Sequence, residues 1–157
     1  TNASGFAGLI PNVGANVAEC LDDAATVDDV AAVPGRLVDV KGRAMVPGEP
    51  EFGVSEHVAT VLLAAREGGA TARGAVNVRY DPATVEALAE SHPTVEFDAE
   101  RPTREAVADA VAAADLPAGE GSGTLVLYQT GAVGVEPIVY VLAPTAAEAA
   151  RIVRELL

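Results

Sequence analysis

The spacing of apolar and polar residues changes several times along the chain, and each change predicts an element. "SEHVATVLLAAREGG" puts Val58, Val61, Leu62 and Ala65 at helical spacing, with Ser55 in the N-cap position and glycines at the end. "DPATVEALAESHP" predicts a second helix, with Asp81 as N-cap and Pro82 at the first helical position. "TREAVADAVAAAD" reads as an Ala-rich helix, and a last helix opens on the capping box of Thr145 and Glu148. A further helix is predicted over "TVDDVAAVPG", where acids follow Thr26 and Pro34-Gly35 supply the stop. Between these lie strand patterns: "GAVNVRY", "TVEFD", the buried run "TLVLYQT" and "IVYVLA". "GRLVDVKGRAMVP" alternates around Lys41-Gly42 and predicts a hairpin. Strands alternating with helices predict an α/β sheet covered on both faces, and the hairpin predicts that this sheet is mixed.

No repeat or low-complexity linker interrupts this order, so residues 1–157 are expected to form a single domain. The opening "TNASGFAGLIP" lacks an initiator methionine, and the chain is expected to be a C-terminal piece of a longer protein. Half of the residues are hydrophobic but only 4% are aromatic, so the core must be built from Ala, Val and Leu.

Charge narrows the function classes. The formal net charge is −13, and Lys41 is the only lysine. Such a surface suits a salt-rich cytoplasm, where a Debye length of about 3 Å at about 1 M salt screens self-repulsion. The expected source is a halophilic archaeon and the expected location the cytoplasm. Without a basic stripe for phosphates, direct nucleic-acid contact by this chain is not expected. No apolar run reaches the roughly 20 residues of a membrane span, and an export signal is not expected. The lone Cys20 excludes an internal disulfide and any cysteine-based zinc site.

Few residues stand out as carriers of chemistry. His57 falls two positions after Ser55, off the apolar stripe, where free backbone N–H groups and the positive helix end favour an anion. Gly53 allows close backbone approach, and the Ser55 hydroxyl can cap the helix or bind. An ordinary exposed histidine in a first helical turn has the same pattern. Arg36, after "VPG", can grip a phosphate with its fork or simply pair with a surface carboxylate. Asn77 and Arg79 share one face of their strand, opposite Val78. They need a ligand or partners if helices cover that face, and nothing special if the strand is an edge. Gly131 and Gly134 lie in a loop between two buried strands, a weak signal for a phosphate wrap. Asn16 faces a pocket or caps a helix. No Walker loop, dinucleotide fingerprint, nucleophile elbow or HExxH is present. Neighbouring Glu56 and His57 point apart on a helix and make no metal pair. His92, before a proline at a helix end, reads as a solvated loop residue.

At these residues the sequence resembles a family. "LIPNVGANVAECL", "DDVAAVPGRLVDVKGRAMVPGEPEFGVSEHVATVLLAA", "AVNVRY" and "GAVGVEPIVYVL" fall in the order found in the ThiN-type thiamine-phosphate synthase domain. The resemblance implies a three-layer αβα sandwich with a mixed sheet, similar to sugar-phosphate aldolase-like domains. Members of this kind join hydroxymethylpyrimidine diphosphate to thiazole phosphate, releasing pyrophosphate, in fusion with a kinase. Others sit behind a helix-turn-helix segment and sense the product. Carried onto this chain, Arg36 and His57 match the arginine and histidine that the synthase needs. Asn16, Gly53, Ser55, Asn77, Arg79, Gly134 and Glu136 match further ligand-binding positions.

Several positions depart from the synthase pattern. Glu51, Glu56 and Thr60 stand where synthases resemble one another in carrying basic residues. Val135 replaces the lysine of a "GKEP" loop, and the tryptophan segment is missing. The expectation is therefore a sensor that binds thiamine phosphate without metal or cofactor. It is expected to reach DNA only through a separate helix-turn-helix domain, as a homodimer, with no membrane contact. The alternative is a working synthase in which Arg36 and His57 act on the phosphates with Mg²⁺.

Overall fold

A computed structural model describes residues 17–32, 38–40, 43–45, 51–52, 56–114, 116 and 123–156. Seven strands form one sheet: β1 (Val17–Cys20), β2 (Val30–Ala32), β5 (Glu51–Phe52), β6 (Gly74–Arg79), β7 (Thr94–Glu96), β8 (Leu125–Gln129) and β9 (Ile138–Ala143). Their order is β5-β2-β1-β6-β9-β8-β7. Two more strands, β3 (Val38–Val40) and β4 (Arg43–Met45), pair only with each other. The helices are α1 (Glu56–Glu67), α2 (Pro82–Ala89), α3 (Thr103–Ala113) and α4 (Ala146–Arg154).

Period-two alternation in the strands sends side chains into two separate cores. On β9, Ile138, Tyr140 and Leu142 join the cluster under α1 and α3, together with Val58, Val61, Leu62 and Val107. Val139, Val141 and Ala143 join the opposite cluster with Leu88 of α2 and Ala149, Ile152 and Val153 of α4. Helices therefore cover both faces, and the fold is the three-layer αβα arrangement expected. Val58, Val61, Leu62 and Ala65, the stripe predicted on α1, are all buried.

The helix ends follow their local signals. Asp81 accepts from the Ala83 N–H at 2.8 Å, and Thr145 accepts from the Glu148 N–H at 3.1 Å. At the end of α1, Gly69 has φ 115°. The Ala70 and Gly69 N–H groups return to the Ala65 and Arg66 carbonyls, a Schellman closure that only a residue tolerating positive φ permits.

Two expectations are corrected. The described part of the helix expected over residues 26–35, residues 26–32, is not α-helical. Val27–Asp29 is a single 3-10 turn, and Val30–Ala32 continues as β2. The Asp29 carboxylate turns back to accept from the Ala25 and Thr26 N–H groups at 3.0 and 3.1 Å, which closes the turn. Val30 then pairs with Cys20, and the ladder between β1 and β2 takes the backbone groups that a helix would have used. The Lys41-Gly42 hairpin does form its flanking strands, with Val38 opposite Met45. It is not, however, what makes the main sheet mixed. That comes from the parallel pairing of β7 and β8, which α3 connects as a crossover, whereas the other described pairs are antiparallel. Strands β1 and β5 were not predicted.

Candidate functional site

Two strands finish and one begins at the same end of the sheet. There β6 ends on Arg79 and β8 on Gln129, and β9 starts at Ile138. The register sets Asn77 against Tyr140, and both Arg79 and Gln129 against Ile138. Alternation then places Asn77, Arg79, Gln129 and Tyr140 on the face that α1 covers. Because β6 is the central strand of seven, the edge-strand reading of Asn77 and Arg79 does not hold. Asn77 is buried at 1% exposure, while Arg79 reaches the surface.

His57, the second residue of α1, comes to this same end. Its ring is exposed, yet its Nε2 meets the hydroxyl of Tyr140, with ring centroids 5.7 Å apart and planes at 49°. Tyr140 is almost fully buried, and Phe97 flanks its ring at 6.2 Å. Burial pushes the Tyr140 phenol far above its ordinary range. An imidazole at the start of a helix, backed by a neutral hydroxyl, is suited to meet an anion.

A turn over Ala132–Val135 forms the rim. Its closing bond runs from the Val135 N–H to the Ala132 carbonyl at 2.9 Å, and Gly134 takes φ 75°. Gln129 anchors the turn from beneath. Its Nε2 donates to the Glu136 carbonyl at 2.6 Å, and its Oε1 accepts from the Gly131 N–H at 2.6 Å. The exposed large side chains of the turn are Val133 and Val135. Glu136 is half-buried.

Five of the expected site residues, His57, Asn77, Arg79, Gly134 and Glu136, thus belong to elements that meet at one end of the sheet. Asn16, Arg36, Gly53 and Ser55 lie outside the described residues. Tyr140 and Gln129 were not singled out from sequence. The signal for Gln129 was a polar residue closing an apolar run, and for Tyr140 a lone hydroxyl within an aliphatic strand. His92 is half-buried rather than solvated. Among the described residues, no three His, Cys, Asp or Glu side chains gather as a metal centre would require.

By architecture this is an αβα domain with a mixed sheet, carrying its buried polar side chains at the sheet end where α1 begins. The sequence profile of the family described as "Thiamine-phosphate synthase ThiN" matches residues 1–155, and the chain belongs to that family as a thiamine-phosphate synthase-like domain. A bifunctional thiamine biosynthesis protein, ThiDN, from Methanocaldococcus jannaschii is 32% identical over 145 residues. That match covers 89% of this chain but only 34% of the relative, so the chain spans about a third of that protein. The thiamine-phosphate synthase ThiN of Methanothermobacter thermautotrophicus is 28% identical over 164 residues, covering 100% of this chain and 86% of the relative. Among solved structures, the C-terminal domain of protein MJ0236 is similar with a TM-score of 0.82 and 30% identity, covering 94% of this chain and 82% of that one.

Proposed function

We propose that this domain binds thiamine phosphate as a sensor and does not turn over the synthase substrates. One observation carries the reading: the described part of the site is poor in cations. In the seven-stranded sheet, Arg79 is the one arginine or lysine among the described residues. The rim turn offers valines, with Val135 where synthases resemble one another in having lysine. Five further described arginines bind protein groups: Arg66 the Ala72 and Asp22 carbonyls, Arg73 Asp22, Arg101 Asp109, Arg104 Glu67 and Arg151 Glu155.

A departing pyrophosphate concentrates negative charge and needs several cations or a metal aimed at it. Arg79, Arg36 and the start of α1 are enough for the single phosphate of thiamine phosphate. His57 would donate to that phosphate, and Asn77 would orient the ligand from below. In a regulator, tighter binding to one of two arrangements would shift the occupancy of DNA held by a separate helix-turn-helix domain. A homodimer would suit a two-fold operator.

The second reading is a working synthase, and the names of the relatives favour it. There Arg36 would stabilise phosphate charge, and His57 would orient a phosphate or assist ring deprotonation. Mg²⁺ would be held mainly by the oxygens of the diphosphate.

Calorimetry with thiamine phosphate, run beside a pyrophosphate-release assay on the two precursors, separates the readings. The sensor binds thiamine phosphate at micromolar concentration or below and releases no pyrophosphate. Multiple-turnover release ends the sensor reading. Arg36→Ala is expected to weaken binding at least about tenfold, as loss of a charged hydrogen bond does. An unchanged affinity removes Arg36 from the site.

A further inference from the structure

Tyr140 puts a hydroxyl on the buried sheet face that it shares with Asn77 and Gln129. It is 1% exposed, with Leu127 opposite it on β8 and Asn77 opposite it on β6. Its hydroxyl meets His57 Nε2, and the Phe97 ring lies 6.2 Å from its ring, tilted by 41°. A phenol in such surroundings keeps its proton across the range in which a protein stays folded, because the phenolate would have to be buried. The retained proton needs an acceptor, and the imidazole nitrogen in contact with it is one. Nε2 accepts only when it bears no proton of its own, and a neutral ring then carries its proton on Nδ1.

From this geometry we infer that Tyr140 is a positioning residue that holds His57 as the Nδ1–H tautomer, so that the ring offers Nδ1–H as its donor to an anionic oxygen. The inference rests on the reading of His57 as part of a phosphate site. It adds that the protonation pattern of the ring is imposed from the sheet and not chosen by solvent. Histidine on its own in water prefers the Nε2–H tautomer, so the contact reverses an intrinsic preference. With the tautomer set in advance, an incoming phosphate meets a donor without waiting for a proton to move.

Long-range nitrogen–proton NMR correlations on the full chain labelled at histidine read the tautomer directly. His57 and His92 are the only two histidines, and His92→Gln assigns the signals. The expected wild-type spectrum shows His57 mostly as Nδ1–H. In Tyr140→Phe the population moves towards Nε2–H, and thiamine phosphate affinity falls about fivefold, the value of one neutral hydrogen bond. An Nε2–H ring in the wild type overturns the inference, as does a tautomer population unchanged in a folded Tyr140→Phe. If that variant does not fold, the wild-type tautomer alone decides. The expected tautomer shift in a chain that binds no thiamine phosphate supports the positioning role and overturns the sensor reading.

Discussion

Gln129 is 4% exposed and spends both ends of its amide on the rim turn, one on the Glu136 carbonyl and one on the Gly131 N–H. Gln129→Leu keeps the size of the side chain and removes both bonds. The expected loss of stability is about 1–3 kcal/mol, the cost of leaving buried backbone groups without their partner, seen as a lower denaturant midpoint. Thiamine phosphate affinity is expected to fall with it, because the turn that carries Gly134 and Glu136 loses its anchor. An unchanged affinity at a lowered midpoint would remove the turn from the site. At this scale, His57 stood out in the sequence as a polar residue just after a helix start, and Asn77 and Arg79 as a polar pair on one strand face. Tyr140 and Gln129 did not, since each extends a strand pattern and acquires its role only from what another segment brings against it.

At the scale of elements, the helices with capping residues were readable, because a cap and an apolar stripe are local properties. The segment after Thr26 was misread for the same reason. Its acids and Pro-Gly stop imitate a helix, but the Asp29 turn and pairing with β1 draw the chain into the sheet. A contact between elements also sets a sharper test. β6 begins on Gly74, where a Cβ would fall onto the Thr145 carbonyl and the Ala146 nitrogen at the start of α4. The Glu19 carboxylate of β1 accepts from that same Ala146 N–H at 2.8 Å, so the helix start is gripped from two strands. Gly74→Ala is expected to cost about 1–3 kcal/mol through overpacking, read as a drop in melting temperature. A melting temperature equal to wild type would mean that α4 does not press on β6.

At the scale of the whole molecule, a net charge of −13 acts against compaction. The melting temperature is therefore expected to rise between about 0.1 M and about 2 M KCl as the Debye length contracts from about 10 Å to below about 3 Å. A melting temperature that is flat or falling over that range would remove charge repulsion as a leading cost for this fold. No helix among the described residues is long and apolar enough to cross a membrane.

The sequence by itself determined what depends on near neighbours: which strand residues share a face, where capped helices start and stop, and the αβα layering that follows from alternating periods. It also carried the ordered short motifs that place the chain in its family. Only the tertiary structure decided which strands lie side by side, that β6 is central, and that the one described parallel pair is β7 with β8. The same is true of the contact between His57 and Tyr140, which lie 83 positions apart. Local periodicity reports one segment at a time. The partner of a strand or an imidazole depends on how the whole chain buries its apolar surface at once, and no single window of residues contains that competition.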